Sequence, residues 1–356
     1  MNTGSSVTLK NGLTGLVDWL AFTLPDSTEP SDAMSLLGYS KNEFQSLSSG
    51  KFGYRSRLIT SSQNLNILYD GNEGMGVHVI VTGSGIADVL SHYFEKRLVS
   101  TPFETTAYEA DTEQSTVLID LFREICLCGR ITRLDLSVDD LGARFFTPME
   151  LSGLMESGQC STRYRNYNLY KGGSTSTGEM TGCTFNLGSR ESACYLRVYD
   201  KQLEQNAKRQ RRGESLLTEP WIRWELELKE QRANSAAQCL IKGMDLGDVI
   251  MGILANMLRL INKDNDRKCR CSTLEKWELF LAGVAGLRLY QPPEPRTIED
   301  CLRWTEKQCA PTLAALLAAF DGDLSILMEL VNSGRGRFRP KHIRMIEEYQ
   351  SRIQSK

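Results

Sequence analysis

Residues 194–201 alternate bulky apolar side chains with polar ones, and this period of two predicts a β-strand. Tyr195, Arg197 and Tyr199 fall on one face, because successive side chains of a strand point to opposite sides. Since Arg197 and Lys201 flank Tyr199, the ionised form of its phenol is expected to be favoured, which is one way to make a tyrosine a nucleophile. An ordinary amphipathic strand with an extended arginine is the alternative interpretation.

Two further stretches show the same alternation, with carboxylates on the polar face. The polar faces carry Arg133, Asp135, Ser137 and Asp139 in residues 131–140, and Arg223, Glu225, Glu227 and Lys229 in residues 221–229. Carboxylate oxygens suit Mg²⁺ or Mn²⁺, which bind one or two carboxylates together with substrate phosphates. A tyrosine, an arginine and a carboxylate-held divalent ion indicate phosphoryl transfer from a nucleic-acid backbone to a protein phenol. The alternative is a pair of half-exposed strands with solvated charges.

The remaining periodicities predict the frame around these strands. They indicate strands at residues 64–69 and 77–81, helices at 86–97, 115–128 and 148–156, a strand or short helix at 13–24, and a polar loop with one helix at 26–49. After about residue 230 the pattern becomes helical, over residues 233–240, 246–261, 273–287, 298–307 and 313–331. Few helices separate the strands, which favours an antiparallel sheet with flanking helices. The sequence therefore predicts an α+β fold, with a sheet domain over residues 13–230 and a mainly helical region over 231–356.

The charge balance limits how the chain could bind a polyanion. Of its 356 residues, 41% are hydrophobic and 24% charged, as in ordinary globular proteins, and the formal net charge is −2. This balance argues against coating DNA by charge alone but leaves room for a local basic groove. The candidate cations directly after the 194–201 strand are Lys208, Arg209, Arg211 and Arg212, and a second cluster lies at Arg335, Arg337 and Arg339. Either cluster could instead be a solvated surface.

The cysteines and histidines exclude several kinds of site. Ten cysteines without a secretory signal or an apolar run of the ~18 residues that a membrane span needs predict a cytoplasmic chain with reduced thiols and no membrane partner. The three histidines, His78, His92 and His342, are too far apart in sequence to form a paired-histidine metal site on one strand. No phosphate-binding loop of the form Gly-x-x-x-x-Gly-Lys-Ser/Thr is present, so a replication role would require a separate helicase.

Three blocks, in this order, resemble the Rep_trans family of rolling-circle replication initiators. They are Thr132-Arg133-Leu134-Asp135-Leu136 with Asp139, then residues 185–192 running into Leu196-Arg197-Val198-Tyr199-Asp200-Lys201-Gln202, and finally residues 221–229. The resemblance covers roughly residues 130–230. It implies that Tyr199 nicks DNA, and that the metal is held by carboxylates drawn from Asp135, Asp139, Glu225 and Glu227.

The predicted function is that of a rolling-circle initiator acting in a bacterial host cell. Tyr199 would form a covalent 5′-phosphotyrosine at an origin, assisted by Arg197, Lys201 and Mg²⁺ or Mn²⁺. The DNA contacts would come from Arg190, Lys208, Arg209, Arg211 and Arg212. Origin DNA and a host helicase are the predicted partners, and a homodimer is left open. Two alternatives stay open: a catalytically inactive DNA-binding regulator on the same scaffold, and a metal-dependent nuclease that uses water as its nucleophile.

Overall fold

The computed structural model describes residues 6–100, 110–289 and 297–354. Contacts divide the chain into two compact units, residues 1–290 and 291–356. The first unit contains a large antiparallel sheet and the helices packed on it, and the second contains helices.

The strands of the first unit are β1 (Val7–Thr8), β2 (Thr14–Leu24), β3 (Phe44–Leu47), β4 (Ser56–Thr60), β5 (Leu65–Tyr69), β6 (Val77–Thr82), β7 (Arg130–Leu141), β8 (Cys160–Thr162), β9 (Tyr167–Gly173), β10 (Met180–Leu187), β11 (Cys194–Asp200), β12 (Trp221–Lys229) and β13 (Leu258–Leu260). The main sheet has the order β3-β4-β5-β6-β2-β7-β12-β11-β10-β9, with β1 paired to β2, and β13 pairs with β8 separately. The three strands predicted to carry the chemistry are therefore neighbours.

The helices of the first unit are α1 (Pro30–Leu37), α2 (Gly85–Ser100), α3 (Ala110–Cys128), α4 (Pro148–Glu156), α5 (Lys201–Arg211), α6 (Glu230–Ile241), α7 (Leu246–Met257) and α8 (Glu275–Leu281). Those of the second unit are α9 (Ile298–Trp304), α10 (Ala310–Ala319), α11 (Ser325–Arg335) and α12 (Pro340–Gln354), with a π-helical segment at Thr305–Cys309 joining α9 to α10. None of the helices in the described ranges is long and apolar enough to cross a membrane.

One face of the central strands forms the hydrophobic core. Leu134, Leu136 and Val138 of β7 are fully buried on it, and the ring of Trp224 on β12 lies 4.6 Å from that of Phe280 on α8, centroid to centroid. Burying each such side chain stabilises the fold by roughly 1.5–3 kcal/mol. Because the alternation commits these residues to the core, the intervening polar residues must lie on the opposite face.

The predicted fold class is confirmed: the chain is α+β, with a large antiparallel sheet and flanking helices. Several local predictions are wrong, among them the continuous helix predicted over residues 313–331, which is divided into α10 and α11. The helix predicted over residues 246–261 ends at Met257, where the chain becomes extended and forms β13. The polar loop predicted at 26–49 contains β3, an edge strand whose short length gives little periodicity to read.

The division between compact units falls after the predicted domain boundary at residue 230. Helix α6 follows β12 directly and packs on the sheet, with Ala233, Ala236 and Ala237 fully buried. Small side chains allow this close approach of helix to sheet. Residues 231–289 are thus part of the sheet-containing unit by their contacts. The division into a nicking domain at 13–230 and a helical region at 231–356 stays a prediction.

Candidate active site on the polar face of the sheet

The register of four strands brings the predicted site residues together. Tyr199 on β11 lies opposite Thr184 on β10 and Arg223 on β12, and Arg223 lies opposite Asp139 on β7. The next row along the strands contains Asn186, Arg197, Glu225 and Ser137, and the row after that contains Tyr195, Glu227 and Asp135. We call this surface the polar face.

Arginines neutralise the carboxylates of the polar face. Arg133 donates to both oxygens of Asp135, at 2.9 and 2.6 Å, and to Glu227 at 2.9 Å. Glu227 also pairs with Lys229 at 2.7 Å, and Arg197 donates to Glu225. Charged hydrogen bonds of this kind compensate groups that would otherwise be costly to bury.

Asp135 is the carboxylate whose ionisation the structure perturbs most clearly. It is 1% exposed, and burial raises its pKa to about 7, with further raising by Glu225 and Glu227 against the lowering effect of Arg133. Neighbouring carboxylates and low solvent access both disfavour the charged form. Asp135, Glu225 and Glu227 are thus close enough for their charges to influence one another.

Asp139 has a different environment from the other predicted ligands. Both of its oxygens accept hydrogen bonds from Arg223, at 2.6 and 2.7 Å. The third arm of that guanidinium donates to Asp18 at 2.8 Å, and Asp18 lies at an irregularity in the pairing of β2 with β7. This buried ion-pair triad lies beside Tyr199 in the sheet, one row from Glu225 and two rows from Asp135 and Glu227, so Asp139 stands apart from the other three carboxylates.

The Tyr199 hydroxyl accepts a hydrogen bond from the ammonium of Lys201 at 3.3 Å. The Arg197 guanidinium carbon lies 5.5 Å from the ring centroid and the Lys201 nitrogen 5.3 Å. Nevertheless, burial raises the pKa of Tyr199, Glu225 raises it further, and the main opposing influence is Arg223. The prediction that Arg197 and Lys201 favour the ionised phenol is therefore wrong for this structure, because burial raises the pKa of Tyr199 and because Glu225 and Glu204 pair with those two cations.

An open groove of about 460 Å³ borders Tyr199. Helix α5 forms one wall: Asp200 caps its N-terminus by accepting from Leu203 N at 2.8 Å, which turns the chain sharply after β11. The groove is lined by Thr181, Gly182, Cys183, Thr184, Arg197, Tyr199, Asp200, Glu204, Ala207, Lys208 and Arg211.

The predicted DNA-binding cations separate into two sets. Lys208 and Arg211 line the groove, whereas Arg209 and Arg212 lie near Glu214, at N–O distances of 3.7 and 3.9 Å. Residues 208 and 211 fall on one side of the helix because they are three apart. Arg190 is exposed in the turn between β10 and β11, where its carbonyl accepts from Lys229.

Sequence reasoning missed several residues of the polar face. Asp18, Asn186 and Glu204 were not predicted as site residues. The Ser137 hydroxyl and the Asn186 carbonyl oxygen are buried without a hydrogen-bond partner among the described residues, in side chains 0% and 4% exposed. A polar residue between Phe185 and Leu187 was the available signal for Asn186, since buried polar groups in a strand normally find partners.

The donor set of the polar face suits a hard divalent cation. Asp135, Glu225 and Glu227 supply carboxylate oxygens from adjacent strands, and the unpartnered Ser137 hydroxyl lies opposite Glu225. Within the described residues, no group of three or more Asp, Glu, His or Cys side chains is placed so that it could hold a metal ion, so the protein alone provides no metal cage. Mg²⁺ seldom uses such a cage, since it is bound by one or two carboxylates together with substrate phosphates and water.

The sequence profile of the Rep_trans family, described as replication initiation factor, matches residues 129–331. This span is more than half of the chain and includes β7, β11 and β12. The chain belongs to the Rep_trans family. The resemblance inferred from the three strand blocks is thus confirmed.

Two further comparisons agree with this assignment. The chain is 31% identical over 230 residues to the "Putative DNA relaxase NicK" of Bacillus subtilis (strain 168), a match covering 63% of each protein. Its fold is similar to the rolling circle replication initiator protein from Geobacillus stearothermophilus, with a TM-score of 0.61, 25% identity, and coverage of 78% of this chain and 99% of that one. The match spans less than two thirds of the relaxase, so the activity of this Rep_trans protein is a separate question.

Proposed function

We propose that this Rep_trans protein initiates rolling-circle replication by nicking one DNA strand through attack of Tyr199. The observation that carries the proposal is the position of Tyr199, which lines an open groove while carboxylates of the type that a divalent ion prefers lie on the same face of the sheet. Membership of a replication initiation family supports it.

In the proposed reaction the Tyr199 oxygen bonds to the phosphorus of one phosphodiester, and the bond from phosphorus to the 3′ oxygen breaks. The phenol loses its proton, the released 3′ oxygen gains one, and the 5′ phosphate stays on the protein as a phosphotyrosine. The charge on phosphate is unchanged, so the linkage conserves the energy needed for later rejoining, and the free 3′-hydroxyl can prime synthesis.

The side chains of the polar face would have separate roles in this reaction. A divalent ion, either Mg²⁺ or Mn²⁺, would supply charge neutralisation at the scissile phosphate, held by Asp135 with Glu225 and Glu227. Lys201 holds the Tyr199 oxygen in place, and Arg197 is near enough to Tyr199 to contact the scissile phosphate. Asp139 orients Arg223 beside the phenol.

Neutralising Glu225 has a consequence for the nucleophile. Glu225 is the largest nearby negative influence on Tyr199, so the phenol ionises more readily once that charge is compensated. Nucleophile activation would then depend on assembly of the complete site with DNA. The free protein would keep Tyr199 protonated and unreactive.

The groove indicates how the substrate would lie. Lys208 and Arg211 line the same groove as Tyr199 and would contact the DNA backbone, since phosphate contacts position a nucleic acid without reading its sequence. Arg190, Arg209 and Arg212 would make more peripheral contacts. Origin DNA is the proposed substrate, with a host helicase supplying the unwinding for which the sequence has no phosphate-binding loop.

The test is formation of a covalent protein–DNA adduct. The protein is mixed with single-stranded oligonucleotides from its replicon, labelled downstream of the candidate nick, in Mg²⁺ or in EDTA, and separated on a denaturing gel. We expect label to migrate with the protein only when the metal is present. Cleavage without any adduct would instead support the nuclease that uses water, which the raised pKa of Tyr199 favours as a second candidate. Binding without cleavage would support the inactive regulator.

A further inference from the structure

Glu204 is an acidic side chain in a groove that is proposed to receive a polyanion. It lies on α5, one turn after Tyr199, and lines the same groove as Lys208 and Arg211. A carboxylate there repels DNA phosphate, so on grounds of binding alone a neutral residue would serve better. Its contacts indicate what compensates for that repulsion.

Glu204 connects two lysines to the nucleophile. One of its oxygens lies 2.6 Å from Lys201 Nζ and the other 2.5 Å from Lys208 Nζ. Lys201 Nζ in turn donates to the Tyr199 hydroxyl at 3.3 Å. Against the opposing effect of partial burial, the two lysines lower the pKa of Glu204, so the carboxylate is charged when DNA arrives.

Helix geometry alone would explain an exposed ion pair, but not this one. Pairs three or four residues apart on a helix surface contribute only about 0.2–0.5 kcal/mol. Lys201, however, is 9% exposed, and a buried ammonium with several rotatable bonds takes a fixed position only where an acceptor holds it. The Tyr199 oxygen accepts a hydrogen bond at 3.3 Å, whereas the Glu204 oxygen at 2.6 Å contacts the ammonium as an ion pair without hydrogen-bond geometry, so the attraction between the two charges is the stronger restraint on Lys201.

We propose that Glu204 is a positioning residue that holds the Lys201 ammonium against the Tyr199 oxygen. Because an ammonium only donates, this arrangement makes the phenol oxygen an acceptor and directs its own hydrogen away from Lys201, towards the groove. When a DNA phosphate draws Lys208 away, Glu204 keeps Lys201 as its remaining partner. The inference rests on the proposed function and adds a residue to it.

The test separates DNA affinity from the rate of the chemical step. Glu204→Gln and Glu214→Gln each remove one negative charge from the same region, but Glu214 lies beside Arg209 and Arg212, away from Tyr199. DNA affinity is measured by fluorescence anisotropy in EDTA, and the single-turnover rate of adduct formation is measured at saturating DNA with Mg²⁺.

We expect both variants to bind DNA up to about fivefold more tightly, as loss of one exposed repulsion allows. Removing the Glu204 charge also removes a contribution that raises the pKa of Tyr199, but we expect the mispositioned ammonium to outweigh that gain, so only Glu204→Gln should slow adduct formation, by about tenfold or more. Glu204→Asp, which keeps the charge and shortens the side chain, should slow the reaction without the gain in affinity. Wild-type rates in both Glu204 variants would overturn the proposal.

A double-mutant cycle tests whether Glu204 acts through Lys201. Lys201→Gln should slow adduct formation, and adding Glu204→Gln to it should cause no further loss. A further loss as large as in the wild-type background would show that Glu204 has another role and would contradict the inference. If the wild-type protein itself forms no adduct, the proposed nicking function fails first, and that outcome is distinct from any result with Glu204.

Discussion

The polar face and the neighbouring part of the same sheet surface carry different kinds of side chain. Over β7, β12 and β11 the surface carries paired charges, whereas over β2, β6 and β5 it carries a small apolar cluster of Ala21, Tyr54, Leu68 and Ile80. The border is Trp19, whose ring lies 4.2 Å from the Arg133 guanidinium carbon. The strands share one hydrogen-bonded sheet, so the backbone does not account for the contrast.

The difference concerns what burial achieves in each region. Leu68 is fully buried and stabilises the fold by leaving water. Asp135, Asp139 and Glu225 are also buried, but a buried ion pair is often no more stabilising than apolar residues of similar size. A buried carboxylate with a raised pKa, such as Asp135, is more typical of a functional site than of a stabilising one.

The largest expected effect is at the nucleophile. Tyr199→Phe should abolish adduct formation, because the change removes the attacking oxygen and keeps the ring that packs. DNA affinity and thermal stability should stay near those of the wild type. The measurement is the denaturing-gel assay in Mg²⁺.

Two controls locate that effect on the polar face. Tyr195→Phe changes a phenol four residues away that is 5% exposed and lies opposite Glu227, and it should still form the adduct. Leu68→Ala should lower the free energy of unfolding by about 2–5 kcal/mol without preventing adduct formation by the folded fraction. An adduct in Tyr199→Phe that is lost in Tyr195→Phe would reassign the nucleophile.

The second effect distinguishes carboxylates within the polar face. Asp135→Asn and Glu225→Gln should weaken Mn²⁺ binding by about 10-fold or more, because each removes a charge that would hold the ion. Binding can be followed by electron paramagnetic resonance of free Mn²⁺, with no DNA present.

Asp139→Asn is the matched comparison. It leaves the buried Arg223 without its two-point partner, so we expect a loss of stability of about 3–5 kcal/mol and little change in Mn²⁺ affinity. Equal losses of Mn²⁺ affinity at Asp135 and Asp139 would place both in one metal site, as the sequence first suggested.

The sequence predicted the strands of the polar face because their alternation is regular over seven to twelve residues. It also placed Tyr199, Arg197, Glu225 and Asp135 on one surface, which follows from period two once the strands are neighbours. It could not assign partners. That Asp139 pairs with Arg223 while Asp135 pairs with Arg133 depends on strand register and on Asp18, which comes from more than a hundred residues earlier in the chain.

The ionisation state of Tyr199 could likewise not be predicted from the sequence. Two cations near Tyr199 suggested a lowered phenol pKa, but the outcome depends on burial and on whether those cations are already neutralised. Glu204 belongs to a stretch whose sequence indicates a charged helix with little apolar content. Glu204 lines the groove only because the chain turns at the Asp200 cap and places this helix along the groove. Long-range contacts of this kind produce no periodic pattern in the sequence.

The third effect is on stability as a function of pH. Asp135 has a pKa near 7 in the folded protein and an ordinary value of 3.8, so between these values the folded state binds more protons than the unfolded state. Stability should therefore fall as pH rises from about 4 to 7, by up to about 1.4 kcal/mol per pH unit from this group. Urea unfolding at pH 5 and pH 7 in EDTA measures it.

Asp135→Asn should lose this contribution, so its stability should decline less between pH 5 and pH 7 than that of the wild type. Leu68→Ala, in the apolar part of the surface, should keep the wild-type pH dependence despite its lower stability. Parallel pH profiles of stability for wild type and Asp135→Asn would mean that Asp135 titrates normally in the folded protein and that its burial does not raise its pKa.

The smallest expected effect concerns how the groove contacts DNA. Each phosphate neutralised on duplex DNA contributes about 0.9 to the slope of log affinity against log salt concentration. Lys208 and Arg211 line the groove beside Tyr199, so replacing both with Gln should reduce the slope by roughly the number of them that contact phosphate. Replacing Arg209 and Arg212, which lie near Glu214, should change it less. The same substitution at Arg335, Arg337 and Arg339 of the helical unit is the second comparison. A larger change there than at Lys208 and Arg211 would assign the main DNA contact to the helical unit and leave only the chemistry to the polar face.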